Sequence, residues 1–183
     1  MPKKLLIIKA ASDVCSSEIA HLQMIAEMFE ISHCTMTLTD MSEFIEQLCT
    51  GDKYDFIYLG AHANTEFFGE SDGSVAIGWD ELAVSFCSSD CLNHGAILML
   101  GCCRGGLKRV ALQLFCACDS IDYVCGPRWT VTGADISAGF HIFIYNMVVR
   151  REQPSTAVHR ASMGTGYDFF CHDRVEMQDE IPD

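Results

Sequence analysis

The chain has 183 residues, 49% of them hydrophobic, which suits one domain with a sizeable core. Its formal charge of −13 repels phosphate backbones and anionic lipid, so neither nucleic acid nor membrane is an expected partner. With four prolines and no low-complexity run it does not read as disordered, and it has no window of about 18 uninterrupted apolar residues to serve as a transmembrane helix.

The opening apolar run "LLII" is short and meets Lys9, so "KKLLIIKAAS" predicts a first strand rather than a secretory signal. In "SSEIAHLQMIAEMFEIS", Ile19, Leu22, Ile25 and Phe29 recur at helical spacing, with Ser16 or Ser17 as N-cap. "CTMTLTD" alternates as a strand, and "MSEFIEQLCTGD" predicts a short helix opened by Ser42 and closed by Gly51. "YDFIYLGAHAN" predicts a third strand and "WDELAVSFCSSDCL" a helix. "GAILMLGCC" follows as a fourth strand, "GGLKRVALQLFCACD" as a helix and "IDYVCGPRW" as a fifth strand. Helices are predicted over "DISAGFHIFIYNMVVRRE" and "PSTAVHRASM", and residues 171–183 read as a polar acidic tail. Strand and helix alternate with short connections, and the strands are near-continuous apolar runs. The expectation is a single α/β domain over residues 1–183, a three-layer α/β/α sandwich around a mostly parallel sheet.

In such sheets, chemistry gathers beyond the carboxyl ends of the strands. The third strand delivers His62 there and the fourth delivers Cys102 and Cys103. A thiol beside an imidazole is the pairing a cysteine nucleophile needs, because the base converts a weak thiol to thiolate. Side chains alternate along a strand, so Leu98, Leu100 and Cys102 share one face while Met99, Gly101 and Cys103 share the other. Only one of the two cysteines is expected in the cleft. Cys103 lies farther from the sheet and nearer the next helix N-terminus, which would favour its thiolate. Both arguments select Cys103. The other cysteines, eleven in all, read as reduced, buried small hydrophobes in a cytoplasmic chain.

"GCCRG" matches the last three positions of the caspase signature Q-A-C-[RQG]-G, and Cys103 follows His62 by 41 residues. Over Tyr54 to Ala161 the chain resembles caspase-like cysteine peptidases, especially their CHAT branch, through three segments. These are "YDFIYLGAHANTEFFGE", "GAILMLGCCRGG" and the tryptophan-bearing "CGPRWTVTGADISAGFHIFIYNMVVRREQPSTAVHRA". The resemblance implies a caspase-like fold and a cysteine-type endopeptidase, a thiol protease acting on protein or peptide substrates. It implies His62 as general base, Cys103 as nucleophile, and backbone N–H groups of Ala63 and Cys103 as the oxyanion hole. Gly101 stands where caspases carry a glutamine that helps bind aspartate, and Ala63 replaces the usual glycine after the histidine. The substrate-binding candidates are Arg128, Trp129, Asp135 and Asp119. Arg128 would suit an acidic side chain and the two aspartates a basic one, so the residue preferred before the scissile bond stays open.

The same resemblance implies an effector held inactive until an activating small molecule or regulatory protein orders its loops, and it is compatible with a homo-oligomer. The movable parts expected are "EFFGESDGSVAIG" and the loop around Trp129. Trp129 reads equally as a pocket wall or a core plug. Cys87, Cys91 and His94 fall at helical spacing that could suggest zinc, but a fourth ligand is not evident, so a packed helix face is the better reading. Neither metal nor cofactor is expected. "GCCRGG" lacks the spacing of a phosphate loop. The alternative to an enzyme is a catalytically silent caspase-like interaction module.

Overall fold

The structure is a computed structural model that describes residues 3–181. Leu5, Leu6, Ile7 and Ile8 of the first strand, β1 (Lys4–Lys9), are all fully buried, which requires cover on both faces. That cover comes from two helix layers. In chain order the elements after β1 are α1 (Ser16–Met28), β2 (Ser32–Thr37), α2 (Met41–Leu48), β3 (Tyr54–Gly60), β4 (His62–Ala63), β5 (Phe67–Gly69), β6 (Ala76–Gly78) and α3 (Trp79–Ser89). Then come β7 (Leu92–Gly101), α4 (Lys108–Ala117), β8 (Ile121–Pro127), α5 (Gly133–Ile144), α6 (Pro154–Thr165) and β9 (Phe169–Asp173).

The main sheet has the order β2-β1-β3-β7-β8-β9, with every pairing parallel except β8 with β9. Leu6 and Ile8 point into a core shared with Phe44 of α2, Leu82 and Phe86 of α3 and Leu114 of α4. Leu5 and Ile7 point into a second core with Leu22 of α1, Phe140 and Phe143 of α5 and Val158 of α6. The protein is therefore the expected three-layer α/β/α sandwich. Among the described residues no helix is long and apolar enough to cross a membrane.

Several elements differ from the sequence expectation. The cap of α1 is Cys15 rather than a serine, and α2 is capped by Asp40, whose carboxylate accepts the Glu43 N–H at 3.0 Å, rather than by Ser42. The third strand breaks at Ala61, so that His62 begins a separate antiparallel sheet, β4-β5-β6. Gly69 turns that hairpin at φ +147°, and a Cβ there would lie 2.1 Å from the Val75 carbonyl oxygen. Phe68 and Ile77 are buried and Phe68 lies against the Trp79 ring, so "EFFGESDGSVAIG" is anchored at both ends and projects only its tip. Helix α3 stops at Ser89, where Asp90 turns left-handed, so Cys91 and His94 leave the helix face they were expected to share with Cys87.

The last long helix is regular only to Ile144 and continues as one π turn, Tyr145–Val149, where the Asn146 amide donates to the Ile142 carbonyl at 2.7 Å. The supposed polar tail begins inside β9. Phe169 is buried there, directly under Gly139, and Cys171–Asp173 pair with β8. The polarity that suggested a tail is the polarity of an exposed sheet edge.

Phe169→Ala should therefore cost about 3 kcal/mol or more in urea denaturation, a core-sized loss. A change within about 0.5 kcal/mol, as for a surface site, would show that this segment is a loose end.

Candidate active site

The register of the sheet decides which loops meet. Gly60 at the end of β3 pairs with Gly101 at the end of β7, and Lys9 at the end of β1 pairs with Gly60. The segments that follow β1, β3 and β7 thus leave the same edge side by side. They enclose, with the start of α5, a cleft of about 210 Å³ bordered by Asp13, Cys15, Glu18, His62 and Cys103.

The two adjacent cysteines lie in the turn just past Gly101 and both border the cleft, but they differ in burial. Cys102 continues the Leu98–Leu100 face into the core and is 2% exposed, and burial pushes its thiol far above the ordinary range. Cys103 is half-buried at the cleft. Its helix argument does not hold, however. A turn over residues 102–106 intervenes before α4 starts at Lys108, and it passes through a left-handed Arg104 at φ +63°. The Gly105 and Gly106 amides are taken by the carbonyls of Cys102 and Pro127. Sγ of Cys103 and the imidazole of His62 border one cleft without a hydrogen bond between them.

His62 has a partner that sequence reading missed. Its Nε2 lies 2.9 Å from both carboxylate oxygens of Asp13. An ionised carboxylate only accepts, so Nε2 carries the hydrogen, and in the neutral imidazole Nδ1 then holds the lone pair. The signal was available, since Asp13 follows a strand end as His62 and Cys103 do, in "KAASDVC". The same loop supplies Cys15, an exposed thiol at the N-terminus of α1. The Ser17 hydroxyl, 2.8 Å away, and the N–H dipoles of the first turn lower its pKa. The helix-terminus effect expected for Cys103 thus belongs to Cys15.

For the expected oxyanion donors, the Cys103 N–H meets no backbone carbonyl among the described residues. Asn64 donates to the Phe67 carbonyl, so the next pair, Ala63 with Phe68, is the non-hydrogen-bonded one and leaves the Ala63 N–H off the ladder. Ala63 borders an adjoining hollow of about 220 Å³ beside the hairpin, which shares His62 with the cleft.

The candidate specificity residues do not gather. Asp119 sits at the amino-terminal end of β8, the far end of the sheet, beside Arg174. Asp135 lies in the first turn of α5, where its N–H donates to Oγ1 of the capping Thr132 at 3.3 Å. Arg128 packs over the rings of Trp129 and Phe170 and borders a different hollow with Lys108 and His172. Trp129 is neither plug nor cleft wall; it is 57% exposed.

The acid that does enter the cleft is Glu18, from the first turn of α1. Its Oε1 accepts from the hydroxyl of fully buried Tyr58 at 2.6 Å. A Cβ on Gly101 would fall 2.2 Å from that hydroxyl, so the position where a glutamine was expected is cleared for Tyr58. Burial raises the Glu18 pKa, partly offset by the Tyr58 hydrogen bond.

Neither a known family model nor a curated protein matches the chain.

A carboxyl whose pKa is raised by folding contributes stability below its ordinary value, near pH 4, and loses it as pH rises through the folded value. Glu18→Gln should therefore melt higher than wild type at pH 7, with the difference disappearing near pH 4. Equal melting temperatures at both pH values would mean that the carboxylate is no burden to the fold.

Proposed function

We propose that the chain is a cysteine endopeptidase of caspase-like type, with Cys103 as nucleophile, His62 as general base and Asp13 as the residue that orients His62. The observation carrying this reading is the convergence of Cys103 and His62 on one cleft at the carboxyl ends of adjacent parallel strands. His62 accepts the thiol proton at Nδ1 while sulfur forms a bond to the peptide carbonyl carbon. The oxygen that becomes negative is met by the Cys103 N–H, with the Ala63 N–H as the second donor if the hairpin shifts toward the cleft. Collapse of the tetrahedral species breaks the C–N bond, and the amine leaves with the proton held by His62. Water then hydrolyses the thioester, regenerating the thiol and releasing the acid.

Asp13 favours the productive tautomer and stabilises the imidazolium. Being 56% exposed, it contributes less than a buried carboxylate would. The missing contact between Cys103 and His62, with strained Arg104 next in the chain, supports an effector whose nucleophile turn must readjust when a small molecule or regulatory protein binds.

Limiting iodoacetamide near neutral pH, read by peptide mass spectrometry, separates the reactive thiols. Cys15 and Cys103 should label ahead of the rest, but only the Cys103 rate should fall in His62→Ala. Cys103 labelling that does not respond to His62 would support a catalytically silent interaction module instead.

On a quenched peptide library, Cys103→Ala should be inactive and His62→Ala should lose roughly 10²–10⁴-fold in kcat/KM. Asp13→Asn should lose about 10–100-fold, as for residues that orient a functional histidine. Full turnover by the isolated, untreated protein would overturn the regulated-effector part of the reading.

A further inference from the structure

The cleft is lined by two carboxylates, Asp13 and Glu18, and by no lysine or arginine. Asp13 is already matched to His62, whereas Glu18 has only the neutral Tyr58 hydroxyl on Oε1. Its Oε2 accepts no hydrogen bond from the described residues. The backbone around this carboxylate is stripped to glycine on two sides. A Cβ on Gly133 would come 2.6 Å from Oε2, and one on Gly60 would come 3.3 Å from Oε1. The remaining walls include the apolar side chains of Val14, Val131 and Ile136. A slot with apolar walls and a carboxylate held by a buried tyrosine matches a side chain with a methylene stem and a cationic tip. At about 210 Å³ it is smaller than the ~300–1,000 Å³ of a drug-sized pocket and suits a single side chain.

We infer that this slot receives a lysine or arginine side chain from the substrate, the residue immediately before the scissile bond, with Glu18 as its charge partner. The inference rests on reading Cys103 as the peptidase nucleophile. It places specificity on α1 and the β1 loop, away from Arg128, Asp119 and Asp135. An aspartate side chain in the same slot would meet two carboxylates and no cation, since Arg128 borders another hollow. Burial raises the proton affinity of Glu18, an unfavourable position for an acid that a bound cation would relieve.

Three peptidyl chloromethyl ketones that differ only in arginine, norleucine or aspartate beside the reactive group provide the test. The Cys103 sulfur displaces chloride and forms a C–S bond, so the adduct rate is read by intact mass. The arginine reagent should react roughly tenfold or more faster than norleucine, with aspartate slowest. Glu18→Gln, which can still accept from Tyr58, should abolish the preference, bringing the ratio of the arginine to the norleucine rate to about one. Equal rates for all three, a faster aspartate reagent, or an arginine rate indifferent to Glu18→Gln would overturn the inference while Cys103 remains the nucleophile.

If Cys103 reacts with none of them, as an effector without its activator would not, the slot is judged separately. Benzamidine binding to Cys103→Ala, followed by ligand-observed NMR, then decides. Binding abolished by adding Glu18→Gln supports the slot, and no binding, or binding unaffected by that change, overturns it.

Discussion

The parallel pairing of β3 with β7, which sets Gly60 opposite Gly101, brings the segments carrying His62 and Cys103 out of the sheet side by side. Neighbouring strands lie about 4.8 Å apart, so residues 41 positions apart in the chain are delivered to one crevice. The pairing of β1 with β3 adds a third loop, and with it Asp13, Cys15 and the start of α1. Two apolar cores, one on each face, lock this register, because a slip by one residue would turn every core side chain to the wrong layer. Stability of the sandwich and geometry of the cleft are thus the same constraint.

The glycines at the strand ends serve the Tyr58–Glu18 hydrogen bond. Tyr58 belongs to the core, stacked edge-on to Phe140, yet its hydroxyl reaches past Gly101 to the cleft. A buried phenol ending on a half-buried carboxylate destabilises neither group as much as leaving both alone would, but it does not supply a charge partner. In a chain whose surface is already strongly acidic, an inward carboxylate without a cation is unfavourable for folding. It borders the same cleft as Cys103.

Thiol chemistry is set by surroundings more than by motif. All eleven cysteines are free, and only Cys91, Cys102, Cys118 and Cys125 are buried, so the picture of uniformly packed small hydrophobes applies to a minority. Burial raises the pKa of Cys91 to about 11 and that of Cys102 further still. Cys15 moves the opposite way at a helix start. Cys102 and Cys103 are chemically identical neighbours separated by one peptide bond, and the turn after β7 buries the first against the core while leaving the second half-buried at the cleft.

Element type and layer order were legible in the residues themselves, because continuous apolar strands alternating with amphipathic helices have few packings other than a covered parallel sheet. The placing of His62 and Cys103 at one cleft was legible for the same reason, since each stands just past an apolar run. The burial of Cys102 was expected from strand alternation, although the strand itself ends one residue before it. The short edge strand β9 was hidden, since the five residues "FFCHD" bury only Phe169 and carry no clear period, and the true caps of α1 and α2 depend on local backbone geometry. Asp13 and Glu18 were invisible as site residues because their roles come from contacts with His62 and Tyr58, 49 and 40 residues away. Arg128, Asp119 and Asp135 looked equally eligible in one dimension. Which carboxylate enters the cleft is decided by register and by space left at glycines, and only the tertiary structure fixes those.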